Sequence, residues 1–394
     1  LGMPEEMVEK LLTENEHVPK HGSGVGVINV HKRIQIRFGE QYGLEIESEP
    51  DEGTTVRIRI PYIPYTPDMQ EYLDGKRMFS VVALLILSVA MAFSILDQGN
   101  RERNYTVSVI VDNSNSSRWT SLKEGLDAAA KDYGIRLNYV STSVFWSKTQ
   151  ELDIVERELE SGADGIILQL YASEGVHERL EQMVSRDRCV LLETDMTPEE
   201  YYQTVGPDNR KLGGVLAGEL KADFGERLRG KRIGVLCGNT GQLAIRQRLE
   251  GLEEGLKNTG AVIQWTLAEV GRTQNMDAVR SCWKKQADIV IALDNTEMER
   301  AVDYMEENGL KRRDCALYGI GNSEKVVYYL DRGLIQTLVV PNEFHMGYQS
   351  MEEIAYKLGY QASGRLNVQT GYLVVDQTNL YDETNQKILF PIVQ

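Results

Sequence analysis

At 394 residues the chain is long enough for two or more domains, and its formal net charge of −16 opposes a nucleic-acid surface, which needs clustered Lys and Arg. The basic groups are short, such as Lys231-Arg232 and Lys311-Arg312-Arg313, and suit helix caps or loop cover. Cys189, Cys237, Cys282 and Cys315 lie far apart with no C-x-x-C pair, which argues against zinc or redox chemistry and for buried thiols. No cofactor or metal is expected.

The first motif is His-Gly-Ser-Gly-Val-Gly-Val-Ile-Asn-Val, which sets Gly22, Gly24 and Gly26 before a helix carrying Val27, Val30, Ile34 and Phe38 at 3.6-residue spacing. Tyr42-Gly43 ends that helix. Leu44, Ile46 and Ser48 then alternate, as do Val56, Ile58 and Ile60, around the turn Glu49-Pro-Asp-Glu-Gly53, which predicts a hairpin with one apolar face. A glycine turn opening a helix offers backbone N–H groups and a positive dipole end to phosphates. The whole string, with Asn29, Arg33, Tyr42-Gly43 and Gly53-Thr-Thr-Val-Arg-Ile-Arg-Ile-Pro61, resembles the last part of the ATP-binding domain of sensor histidine kinases. The resemblance covers residues 1–66 and implies that Gly22, Gly24 and Gly26 are a remnant of a phosphate-binding turn. The Mg²⁺-holding Asn helix and the phosphoacceptor His helix of that family have no counterpart here, so no kinase activity is expected; His17, His21 and His31 do not fill that role.

After a linker at 67–77, Met78–Leu96 is a nineteen-residue stretch without a charge. As a helix it is roughly 28 Å long at ~1.5 Å per residue, close to a bilayer's hydrocarbon core of about 30 Å. Lys76 and Arg77 precede it, so the positive-inside rule puts the amino terminus in the cytoplasm and residues 97–394 outside. The alternative reading is an export signal cleaved near Ala90-Met-Ala92.

From Tyr105, following a linker at 97–104, short apolar strands alternate with amphipathic helices. The first series is strand Val107–Val111, helix Trp119–Tyr133, strand Leu137–Val140, helix Gln150–Ser161, strand Gly165–Leu170, helix Gly175–Arg186 and strand Val190–Glu193. The second runs from Leu212–Phe224 through strands at Arg232–Leu236, Val262–Leu267, Ile289–Leu293, Ala316–Ile320 and Ile335–Val340, with helices between. Continuous apolar strands separated by helices predict parallel sheets covered on both faces, here two doubly wound α/β lobes. In such sheets ligands bind beyond the carboxyl ends of the strands. Those positions hold Asn115 and Trp119, Tyr171, Thr194-Asp195, the turn before Arg246, Asp294-Asn295 and Asn322. Amides, carboxylates and a guanidinium give directional hydrogen bonds to hydroxyls, and an aromatic face covers a sugar ring.

The pieces Trp119-Thr-Ser-Leu-Lys-Glu-Gly125, Ser161-Gly-Ala-Asp-Gly-Ile-Ile167, Val205-Gly-Pro-Asp-Asn209, Arg246-Gln-Arg-Leu-Glu-Gly251 and Ala292-Leu-Asp-Asn295 resemble the type I periplasmic binding proteins of the ribose- and galactose-binding, lac-repressor-core-like group. Gly321 stands where that family usually has Asp. The resemblance implies a hinge between lobe 1 (about 105–207 and 341–368) and lobe 2 (about 208–340 and 369–394). It also implies ligand contacts from Asn115, Trp119, Asp195, Arg246, Asp294 and Asn322. The resulting expectation is a membrane-anchored, extracytoplasmic solute-binding protein for a small molecule, a sugar, serving an ABC-type importer or a two-component system with a permease or histidine kinase partner. The alternative is a fragment of a sensor histidine kinase fused to a ligand-sensing domain.

Overall fold

The structure is a computed structural model that describes residues 24–49, 53–61, 105–197, 202–269, 276–360 and 368–389. The chain forms two units, Leu1–Asn104 and Tyr105–Gln394.

In the first unit, helix α1 (Gly24–Phe38) precedes an antiparallel hairpin of β1 (Gly43–Glu49) and β2 (Gly53–Arg59). Gly24 and Gly26 lie in the first turn of α1; Gly22 falls outside the described residues. The register sets Leu44 opposite Ile58 and Ile46 opposite Val56, so these four share a face, as period-2 alternation requires. That face is covered unevenly: Leu44 is buried and its N–H donates to His31 Nδ1 at 3.0 Å, while Val56, Ile58 and Ile60 are exposed. The apolar segment 78–96 lies outside the described residues, among which no helix is long and apolar enough to cross a membrane.

The second unit carries two six-stranded sheets. The first contains β3 (Thr106–Ile110), β4 (Arg136–Tyr139), β5 (Gly165–Leu168), β6 (Cys189–Leu192), β7 (Gln203–Pro207) and, arriving late in the chain, β13 (Val368–Thr370), in the order β13-β7-β6-β5-β3-β4. The second contains β8 (Arg232–Asn239), β9 (Val262–Glu269), β10 (Ile289–Ala292), β11 (Ala316–Ile320), β12 (Thr337–Pro341) and β14 (Tyr372–Val375), in the order β14-β12-β11-β10-β8-β9. The two orders are the same winding, and every pairing is parallel except that of β14 with β12. Both faces of each sheet are covered, which is why the strands read as unbroken apolar runs. In β5, Ile166 and Leu168 enter one core and Ile167 the other; in β10, Ile289 and Ile291 face one core and Val290 and Ala292 the other.

The covering helices repeat one packing device. In the first lobe α2 (Thr120–Tyr133) crosses α10 (Glu343–Lys357) with Gly125 against the Phe344 carbonyl and Gly347 against the Leu122 carbonyl. In the second lobe α5 (Asn209–Phe224) crosses α6 (Leu243–Leu256) with Gly213 against the Arg248 carbonyl and Gly251 against the Arg210 carbonyl. A Cβ at any of the four would collide with backbone, so the helices approach at backbone contact.

Among the described residues the chain passes between the sheets three times. Two passages are single residues that cap the next helix: Asp208 accepts from the Lys211 N–H and Asn342 from the His345 N–H. The third is Gly371, between β13 and β14. Strand β7 has no counterpart in the sequence reading, because Gln-Thr-Val-Gly-Pro looks like a turn; its strand character comes from pairing with β6. Beyond Val340, α10, β13 and β14 were likewise not expected. The helix expected at Gly175–Arg186 shortens to α4 (His177–Met183). All four cysteines are free, three of them buried.

Candidate functional site

The loops at the carboxyl ends of the strands of both sheets meet around a cavity of about 40 Å³. The first lobe contributes Asp112, Ser116, Arg118 and Trp119 after β3, Gln169 and Tyr171 after β5, and Glu193 after β6. The second contributes Asn239 and Gln242 after β8, Ala244, Ile245 and Arg248 from α6, and Asp294 and Thr296 after β10.

Glu193 is the centre of the polar network. Its Oε1 accepts from Arg248 Nη2 at 2.7 Å, from the other lobe, and its Oε2 accepts from Arg118 Nη2 at 2.8 Å and Gln169 Nε2 at 2.7 Å. Its backbone has φ +63°, left-handed for a residue that is neither Gly nor Asn, a conformation that costs about 1–2 kcal/mol. Two features hold it there: Asn209 Nδ2 donates to the Glu193 carbonyl at 2.8 Å, and Gly206 leaves room for the Glu193 backbone, which a Cβ would meet at 2.8 Å. Burial pushes the Glu193 carboxyl up, but Arg118 and Arg248 outweigh it and hold it at about 2.

Arg248 is 1% exposed and fully engaged, donating also to Asn209 Oδ1 and to the Leu293 carbonyl, each at 2.9 Å. Arg118 leaves a short 3₁₀ turn, Ser117–Trp119, and lays its guanidinium over the Trp119 ring, 4.0 Å from the centroid. Besides Glu193 it approaches Glu343 Oε1 at 3.7 Å. Burial lowers its pKa, and Glu193, Glu343 and Asp294 more than reverse this, so it stays charged. Burial pushes the Glu343 carboxyl up; Arg118 pulls it down and Glu193 raises it again, with a net position of about 7. Further bonds join the lobes: Asn239 Nδ2 to the Tyr171 carbonyl at 2.7 Å, the Ala244 N–H to Thr194 Oγ1 at 3.0 Å, and the Leu243 N–H to Ser173 Oγ at 2.8 Å.

Of the six expected contacts, Trp119 and Asp294 line the cavity. Trp119 is 1% exposed, its indole N–H donates to the Asp112 carbonyl, and Arg118 covers its face. Asp294 caps helix α8 (Asn295–Glu307), accepting from the Glu297 N–H. The other four do not line it. Asn115 is exposed. Asp195 turns its carboxylate onto the Met196 N–H. Asn322 donates to the Arg118 carbonyl at 3.1 Å and so supports the site from behind. Arg246 folds back on the Thr240 and Gly241 carbonyls and pairs with the exposed Glu174 at 3.1 Å. Two residues is roughly 200° around a helix, so Arg246 and Arg248 take opposite faces; the crossing of α6 with α5 turns Arg248 to the cleft. Arg118, Gln169, Glu193 and Arg248 are cleft residues that the sequence reading did not select. The apolar run Val190–Glu193 predicts a strand that includes Glu193, and its left-handed backbone aims the side chain out. Among the described residues no cluster of His, Cys, Asp or Glu is arranged to hold a metal ion.

A cleft between two parallel-sheet lobes, with a strained buried carboxylate tied to an arginine from each lobe, defines a two-lobed solute-binding class of protein. Residues 107–361 match the periplasmic binding protein domain, and the chain belongs to that family. It is similar to the ribose import binding protein RbsB of Bacillus subtilis, with 22% identity over 272 residues, covering 67% of this chain and 87% of that protein. A solute-binding protein of a carbohydrate transporter from Agrobacterium radiobacter, solved in complex with D-arabinose, shares the fold with a TM-score of 0.65 and 18% identity, over 73% of this chain and 99% of that one. A 40-residue stretch is 50% identical to the sensor histidine kinase YesM of Bacillus subtilis; it is 10% of this chain and spans only 7% of that protein.

Proposed function

We propose that residues 105–394 bind one small sugar between the lobes, outside the cytoplasmic membrane, held by the apolar segment 78–96, and deliver it to an importer or report it to a two-component kinase. The observation that carries the reading is the cleft itself: buried, directional donors and acceptors from both lobes converge at the carboxyl ends of the strands, where open α/β sheets take ligands. The relatives' names, ribose import and carbohydrate transport, support a sugar. Asp112, Gln169, Glu193, Arg248 and Asp294 are the residues that would meet its hydroxyls, with Trp119 as the apolar wall. Closure follows from the three chain passages, which act as a hinge that a bound ligand biases towards the closed arrangement.

The test is a thermal-shift screen of the full chain against a panel of monosaccharides, followed by calorimetry. A sugar that raises the melting temperature and binds with unit stoichiometry supports the reading; a response only to amino acids, peptides or nucleosides overturns it. The anchor is tested separately: reporters fused after Gly99 should be active outside the membrane and reporters fused before Lys76 inside. The kinase-like amino terminus is read as an inactive remnant, so residues 1–77 should fail to bind ATP, and micromolar binding of a labelled ATP analogue would refute that.

A further inference from the structure

The centre of the cleft is organised around the cation of Arg118. Its guanidinium lies on the aromatic face of Trp119, bonds Glu193 and faces Glu343, with Asp294 of the other lobe within electrostatic reach. An aromatic face with converging carboxylates is how a protein holds a bound cation. The second arginine, Arg248, is already committed to Glu193, Asn209 and Leu293. Gln169 adds a separate indication. It is 4% exposed and lines the cavity, and its Nε2 is spent on Glu193, which fixes the amide's orientation. Its Oε1 has no partner and therefore calls for a donor.

Arg118 already occupies the face of Trp119, 4.0 Å from the ring centroid, where a sugar ring would stack. A ring that stacks on Trp119 must move Arg118 off it. A neutral sugar would then leave Glu193 and Asp294 facing only Arg248, an excess of negative charge even with Glu343 protonated, and an anionic sugar would worsen it. A ligand with its own positive charge restores the balance.

Resting on the sugar reading above, we propose that Arg118 is a specificity-determining residue, a built-in cation standing in the ligand's place, and that the ligand which displaces it is an amino sugar. Its ammonium takes over the carboxylates that Arg118 holds, and one of its donors meets Gln169 Oε1. Sugar acids and sugar phosphates are rejected.

The full chain and its Arg118→Ala variant are titrated with the matched set D-glucose, D-glucosamine and D-glucuronate, its D-galactose equivalents, and methylguanidinium as a sugar-free cation. The wild type should bind an amino sugar at least tenfold tighter than its neutral counterpart and bind no acid. Arg118→Ala should bind the amino sugar at least a further tenfold tighter, because the internal competitor is gone, and methylguanidinium should raise the melting temperature of the variant and not of the wild type. A neutral or acidic sugar binding as tightly as the amino form overturns the proposal and leaves the sugar reading standing. Methylguanidinium rescue with no sugar of any charge binding overturns the sugar reading and upholds the cationic cleft. Neither sugar binding nor cation rescue overturns both. If Arg118→Ala does not fold, Arg118→Gln, which keeps the side chain's length without its charge, must show the same gains.

Discussion

The two lobes share one winding of strands and one glycine-to-backbone helix crossing, yet they present different chemistry to the cleft. The first lobe brings a carboxylate on a strained backbone, Glu193, and a cation, Arg118, held by its ion pair and by Trp119, both on short connections after strands. The second brings Arg248 and Asp294, both held by regular helix: Arg248 inside α6 and Asp294 as the cap of α8. One lobe therefore supplies groups whose positions depend on their partners, and the other supplies groups fixed by backbone. The difference shows that a duplicated fold does not duplicate a site; the loops after each strand decide it.

Glu193→Ala should expose this asymmetry most. It leaves the half-buried Arg118 and the buried Arg248 facing each other across the lobes, and breaking a buried pair costs about 3–5 kcal/mol. Urea denaturation should place the variant's midpoint far below wild type; a loss under about 1 kcal/mol would mean that the network is not what joins the lobes. Arg248→Ala keeps the Arg118–Glu193 pair but strips Glu193 Oε1, Asn209 Oδ1 and the Leu293 carbonyl of their donor, so it should lower stability as well as ligand affinity. Losing a charged hydrogen bond of about 1.5–3 kcal/mol should weaken sugar binding roughly 10- to 100-fold, measured by calorimetry. Gly213→Ala tests the frame rather than the charges. Its methyl meets the Arg248 carbonyl and pushes α6 away, so overpacking should cost about 1–3 kcal/mol of stability and weaken binding without touching a cleft side chain.

A pH series sharpens the contrast between two of the buried glutamates, Glu193 and Glu343. Glu193, held at about 2 against an ordinary 4.5, contributes stability that is present above pH 4.5 and lost as pH falls towards 2. Glu343, raised to about 7, behaves oppositely: the unfolded chain releases its proton first, so stability falls as pH rises from 4.5 to 7. Glu343→Gln should lessen that upper decline, the remainder coming from Glu151, whose carboxyl burial also pushes well up, and leave the acid limb intact. The smallest effect belongs to Arg246→Ala. Its partner Glu174 is 69% exposed, so the pair is worth about 0–1 kcal/mol, and ligand affinity should change less than twofold. A tenfold loss on calorimetry would restore Arg246 to the site in place of Arg248.

Much of the architecture was written in one dimension. Runs such as Gly165–Leu168 and Ile289–Ala292 bury every residue, and a run apolar at every position between helices can only be a strand covered on both sides. That Trp119 and Asp294 line the cavity was legible because they follow strands, where an α/β sheet opens. The hairpin alternation of Leu44, Ile46, Val56 and Ile58 likewise predicted a shared face, though not that most of it would be exposed. What the sequence could not decide was direction. The motif Arg246-Gln-Arg248 points to Arg246, with Arg248 on the opposite helix face, and the seating of α6 on Gly213 turns Arg248 to the cleft instead. Glu193 belongs to its strand by composition and leaves it through a single left-handed torsion, sustained by Asn209 and Gly206 from distant elements. Periodicity is a local property, set by residues three or four apart, and the sequence carries it. Which side of an element meets the ligand depends on contacts between residues far apart in the chain, and those exist only once the lobes have packed.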